Sequence, residues 1–175
     1  MKTPILFIAF LGIALSHTRG EVGAIPIAEL AQRSDLIVIA TVESVSEPTG
    51  EKVYATAKVM EVWKGPHVGK VEFLASGTWT CDISEAELGE AVLLFLTTGP
   101  ESRSLMIAHS GRGRMPLRTL DGKRYATFWE EILLPETTAT IPGPDRASCF
   151  IRSLEVEVFR SLVKQATLSP TSGDL

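Results

Sequence analysis

The side chains of this 175-residue chain that could carry chemistry are three histidines, two cysteines, one run of carboxylates and one run of cations. His17, His67 and His109 are scattered, with no HExxH or other paired-ligand spacing. A metal site would need His67, His109 and carboxylates gathered from distant segments, so no metal is expected, and no cofactor motif is present. Asp82, Glu85, Glu87 and Glu90 place four carboxylates in nine residues without a basic neighbour. Such a run could hold calcium or a cationic partner, but the EF-hand order and its central Gly are missing, and a solvated acidic loop between two strands is expected. Glu130 and Glu131 are adjacent and, on a strand, would point to opposite faces, which makes them a poor acid/base pair. Ser110 beside His109 lacks the glycine pattern of a nucleophile elbow. The chain therefore reads as non-enzymatic.

The cations are Arg112, Arg114, Arg118, Lys123 and Arg124, five in thirteen residues and opposed only by Asp121. With Tyr125, Phe128 and Trp129 downstream, they are the one place where a polyanion such as an anionic glycan or nucleic acid could be held. The competing reading is a solvated hairpin. Trp63 and Trp79 are expected to cap the core, although Trp79 also opens the loop that carries the carboxylates.

Lys2, the apolar run Ile5–Leu15 and the polar residues that follow have the layout of a secretory signal peptide, spanning residues 1–20. The run is too short to cross a membrane, which takes about 20 apolar residues. Cleavage after Ser16 suits the small-residue rule; cleavage after Gly20 or Ala24 is the alternative. The expected location is secreted or periplasmic. The whole chain carries 17 Lys and Arg against 21 Asp and Glu, and loss of residues 1–20 leaves 15 against 21, a net −6. An acidic exported protein has no general attraction for nucleic acid or anionic membrane. In that compartment Cys81 and Cys149, 68 positions apart, are expected to pair. A loop of this length would add about 4 kcal/mol in the chain-entropy treatment. Two free thiols, or a bond to another chain, are the alternatives.

These groups must be positioned by a single domain, residues 21–168, with 169–175 as a frayed tail. Pro26–Arg33 reads as a short helix. Leu36–Val45 is apolar first on both faces and then alternating, as in a strand that starts buried and emerges. Lys52–Lys64 alternates with Val53, Ala55, Ala57 and Val59 inward, and slips phase at Met60, the signature of a bulge. Val71–Ala75, Ala91–Thr97 and Arg103–Ala108 supply three more strands. Gly111–Arg124 is a hairpin with Asp121–Gly122 at its tip. Pro135–Pro144 looks like a linker, and Leu154–Gln165 an amphipathic helix packed on the barrel. The fold class is mainly β: a five-stranded OB-fold-like barrel with an extra hairpin, a short N-terminal helix and a C-terminal helix.

The segments ELAQRSDLIVIATVESV, ATAKVMEVWKGP, KVEFLASGTWTC and LGEAVLLFL, in that order, resemble the tissue-inhibitor-of-metalloproteinase and netrin-module superfamily. Its shared core is an OB-fold barrel. SGRGRMPLRTLDGKRY is similar to a hairpin that follows the barrel in exported bacterial relatives, so the resemblance covers Asp35–Arg124. The animal inhibitors bind the protease zinc through a mature N-terminal Cys. Here the first Cys is Cys81, so the resemblance implies the fold and not that inhibition. The expected role is a protein-interaction module of unknown partner and oligomeric state. Its candidate contacts are Trp79, Asp82 and Glu85 in the 79–89 loop and Arg112, Arg114, Arg118, Lys123 and Arg124 in the hairpin. A polyanion binder and a hydrolase of unrecognised design are the alternatives.

Overall fold

The computed structural model describes residues 22–99, 104–144 and 151–168. The expected signal peptide, the tail 169–175 and Cys149 lie outside the described residues, so the expected disulfide has only Cys81 within them. In chain order the elements are β1 (Ile25–Pro26), α1 (Ile27–Arg33), β2 (Leu36–Val45), β3 (Tyr54–Lys64), β4 (Lys70–Leu74), β5 (Ala91–Thr98) and β6 (Leu105–Ile107). They continue with β7 (Arg114–Leu120), β8 (Lys123–Phe128), β9 (Ile132–Leu133), β10 (Ile141–Pro142), β11 (Arg152–Glu155) and α2 (Val156–Leu168).

Strands β2 to β6 close a five-stranded barrel of the OB type. β2 pairs antiparallel with β3 and with β5, β3 with β4, and β5 with β6. The seam is the parallel pair of β4 with β6, at Phe73–Leu105 and Leu74–Met106. The barrel interior is filled by Leu36, Val38, Ala40 and Val42 of β2, Val92, Leu94 and Leu96 of β5, and Phe73 of β4. Ala55 and Ala57 stand on the inner face of β3, small enough to leave room for Phe73.

The slip at Met60 is a bulge. Val59 pairs with Ala40 and Glu61 with Ile39, so Met60 is the extra residue, and it is 61% exposed. A further register shift falls between Ile37 and Val38. Such irregularities bend and twist a strand, as closing a small barrel demands.

A second core lies outside the barrel. Alternate residues of β2 and β5 face away from the first, and Ile37, Ile39, Leu93 and Phe95 pack there with Met115, Phe128, Leu154 and Phe159. Phe128 and Phe159 meet edge to face at 5.5 Å. This core explains the continuous apolar runs of β2 and β5, since both faces of each strand are covered. It is enclosed by α1, α2 and a sheet that continues from β5 through β7, β8 and β11 to β10.

Several boundaries differ from expectation. Pro26 caps α1 rather than belonging to it. β4 starts and ends one residue earlier than expected, and Arg103 lies outside the described residues. The stretch 135–144 contains β10, paired with β11. Leu154 belongs to β11, and the C-terminal helix starts at Val156 and runs to Leu168.

The turn after β3 shows what the Trp-Lys-Gly run does. Trp63 packs against the second core, and Lys64 Nζ donates to the carbonyls of Ala31 and Gln32 at 2.9 and 2.8 Å, closing the C-terminal end of α1. Gly65 has φ +93°, and a Cβ there would stand 2.6 Å from the Asp35 carbonyl. Asp35 accepts the Thr98 amide at 2.7 Å, and this bond holds its carboxyl below the ordinary range.

Candidate interaction surface

The connection between β4 and β5, residues 75–90, has almost no regular structure, yet it is tied down along its length. Asp82 makes the first ties. Its Oδ2 accepts the amide and hydroxyl of Thr78, both at 2.9 Å, and its Oδ1 accepts the amide and hydroxyl of Ser84 at 2.9 and 2.6 Å. Burial pushes this carboxyl up, but the four bonds outweigh it and its pKa is lowered. At the far end Gly89 and Val42 bond at 2.9 Å, as do Val42 and Glu90.

The second anchor is the segment between β6 and β7. His109, Ser110 and Gly111 take φ of 54°, 50° and 86°, three left-handed residues in succession. Only the glycine adopts such a conformation without penalty. A Cβ on Gly111 would stand 2.4 Å from the Ser84 nitrogen, and one on Gly113 would stand 2.8 Å from the Phe95 carbonyl. The two glycines therefore let this turn touch the loop on one side and the barrel on the other. The Ile83 amide donates to the Ser110 carbonyl at 3.1 Å.

Between and after these glycines stand two buried arginines. Arg112 Nη1 donates to the carbonyls of Cys81 and Ser110, each at 3.1 Å, and Nε donates to Glu131 Oε1 at 3.0 Å. Its guanidinium lies over the Trp129 ring at 5.8 Å. Arg114, 4% exposed, holds three carboxylates: Glu90 in a two-pronged pair at 2.8 and 2.9 Å, Glu85 at 2.7 Å and Glu87 at 3.1 Å. Burial raises the Glu90 pKa against the pull of Arg114, and the neighbouring Glu87 adds to the rise. The arginine is shifted upward, since its carboxylates outweigh its burial.

The expected acidic loop does lie between two strands, with Glu85 and Glu87 exposed, but it is corrected in that its carboxylates are ion-paired rather than free in solvent. Glu90 is only 10% exposed, and Glu85 and Glu87 close on a cation from the hairpin. Trp79 is corrected too: it does not cap the core but stands 45% exposed, with Nε1 donating to Ser110 Oγ at 3.3 Å. No family model and no curated protein sequence matches this chain.

Of the candidate contacts, Trp79, Asp82, Glu85, Arg112 and Arg114 come together in this clamp. The other three stand further along the hairpin, each with its own partner. Arg118 donates to the Pro142 carbonyl at 2.5 Å, Lys123 to Glu155 at 3.0 Å and Arg124 to Glu61 at 2.9 Å. Arg160 of α2 reaches the same Glu61, tying β8, β3 and α2 together. The basic run is therefore spent on the protein's own carboxylates and carbonyls. His109 Nε2 bonds the Gly23 carbonyl at 2.8 Å, fixing the segment that enters β1, and Glu131 sits in a turn rather than on a strand. Among the described residues, no three His, Cys, Asp or Glu side chains gather as a metal site. Glu90 as a partner of Arg114 and Glu131 as a partner of Arg112 were not foreseen. The signal in the sequence for the first pair is that an acidic run and a mainly basic run carry opposite sign.

Proposed function

We propose that this is an exported, non-enzymatic OB-fold protein that binds another protein through the 79–89 loop seated on the 109–114 turn. The observation that carries the reading is Trp79. It is held exposed on a loop whose backbone is tied by Arg112 at Cys81 and by Asp82, and whose carboxylates are held by Arg114. A large aromatic presented without freedom to lose is the side chain that binding energy concentrates on. Kinship with the inhibitor and netrin superfamily is part of the same proposal. It is supported by the order of the quoted segments and by a barrel of the kind that superfamily shares. Those segments serve the scaffold: Lys64 closes α1, Gly65 and Gly111 allow close approach, and Arg114 fastens a loop.

Affinity capture from the envelope or medium of the producing cell, with wild type beside Trp79→Ala, tests the role. A protein retained by the first and lost by the second, at equal melting temperature, is the expected result. Retention by both variants, or by neither, removes Trp79 from the reading. Export and the Cys81–Cys149 bond are tested together on the mature protein: N-terminal sequencing should begin after residue 16, 20 or 24, and thiol titration without reductant should find none.

A further inference from the structure

We infer that the occupant of the 79–89 loop is a cationic protein segment carrying apolar side chains; this rests on the reading of the loop as an interaction surface. The charge balance of the clamp decides the sign. Among the described residues Arg114 supplies one positive charge to three carboxylates, which leaves two negative charges over in the clamp. Glu90 is largely shielded and gives both oxygens to Arg114. Glu85 and Glu87 are 61% and 74% exposed, and each meets Arg114 through Oε1. No hydrogen bond to their Oε2 atoms is found among the described residues. Because Arg114 already orders both side chains, an incoming ammonium or guanidinium would not have to restrain them.

Two apolar groups accompany these carboxylates. Leu88, between Glu87 and Gly89, is 72% exposed, and Trp79 presents its ring at the other end of the loop. A Lys or Arg of the partner suits the indole face, and an aliphatic side chain suits Leu88. The arrangement repels a polyanion, whose charge would meet the surplus carboxylates first.

A short amphipathic Lys/Leu peptide, with its Glu/Leu counterpart as control, provides the probe. Wild-type protein should bind the Lys/Leu peptide, more weakly as salt is raised, and should ignore the Glu/Leu peptide. Glu85→Gln with Glu87→Gln should weaken that binding about tenfold. Arg114 keeps Glu90 in that variant, so an unchanged melting temperature shows that the loop is still held. Leu88→Ala should weaken it as well. Equal binding of both peptides, indifference to the Gln pair, or retention on heparin that the Gln pair strengthens no further would overturn the assignment. The two readings separate cleanly. A partner captured through Trp79 that ignores the Gln pair refutes the cationic occupant alone, whereas a partner indifferent to Trp79 removes the surface itself.

Discussion

Gly111 and Gly122 both take positive φ, but for different reasons, and the difference is measurable. Gly122 and Asp121 form the two-residue tip between β7 and β8, and a Cβ on Gly122 would meet nothing within 4 Å. Gly122→Ala should therefore cost only the left-handed penalty, about 1 kcal/mol. Gly111→Ala adds a collision with the Ile83–Ser84 backbone and should cost about 3 kcal/mol or more, with loss of amide protection at Ile83. Denaturant midpoints of the two variants, compared with wild type, check this. The sequence could announce the hairpin tip, because Asp-Gly between two strands is a local signal. It could not announce the clamp. Arg114 lies 24 to 29 positions from its carboxylates, and only the closed barrel brings the two runs together. Read singly, each run resembles a solvated face.

Alternation made β3 and β4 legible in the sequence, continuous apolar runs did the same for β5 and the start of β2, and the phase slip at Met60 located the bulge to the residue. The elements that escaped are the short ones. β9 and β10 have two residues and β11 has four, too few for a period to show. Leu154 fits the spacing of α2 yet ends up in β11, buried in the second core, because either placement hides it equally well. Periodicity also separates two substitutions in β3. Met60→Lys, on the bulge, should change stability by less than about 0.5 kcal/mol. Ala57→Leu, facing the barrel interior opposite Val71, should destabilise by about 1–3 kcal/mol through overpacking. Chemical denaturation of both, at matched slopes, tests the assignment of faces.

Acid response belongs to the molecule as a whole. Burial holds the His109 imidazole below its ordinary value of 6.5, and the Arg112 charge works the same way; the Gly23 carbonyl and Glu131 oppose them. A lowered pKa means that the folded protein prefers the neutral ring. The stability it contributes is complete above pH 6.5 and is lost as the pH falls through the lowered value. Asp35, Asp82 and Glu61 are also lowered, so their contribution is present above their ordinary 3.8 to 4.5 and disappears on further acidification. Glu90 is raised and acts in the opposite sense, its contribution fading as the pH rises through its value. Melting temperature followed downward from pH 6.5 should therefore fall in wild type and fall less in His109→Gln, which keeps a donor for Gly23 but does not titrate. Parallel curves for the two would show that the ring is not responsible.

Neighbouring residues of β2 report to different rooms: Val38 to the barrel, Ile37 and Ile39 to the annex built by β7, β8, β11 and both helices. With β5 it forms a party wall. A fragment ending at Ala108 would retain every stave of the barrel but leave Ile37, Ile39, Leu93 and Phe95 wet on the abandoned side, and such a fragment should aggregate. The two halves of this protein are therefore tenants of one structure, inherited or lost together.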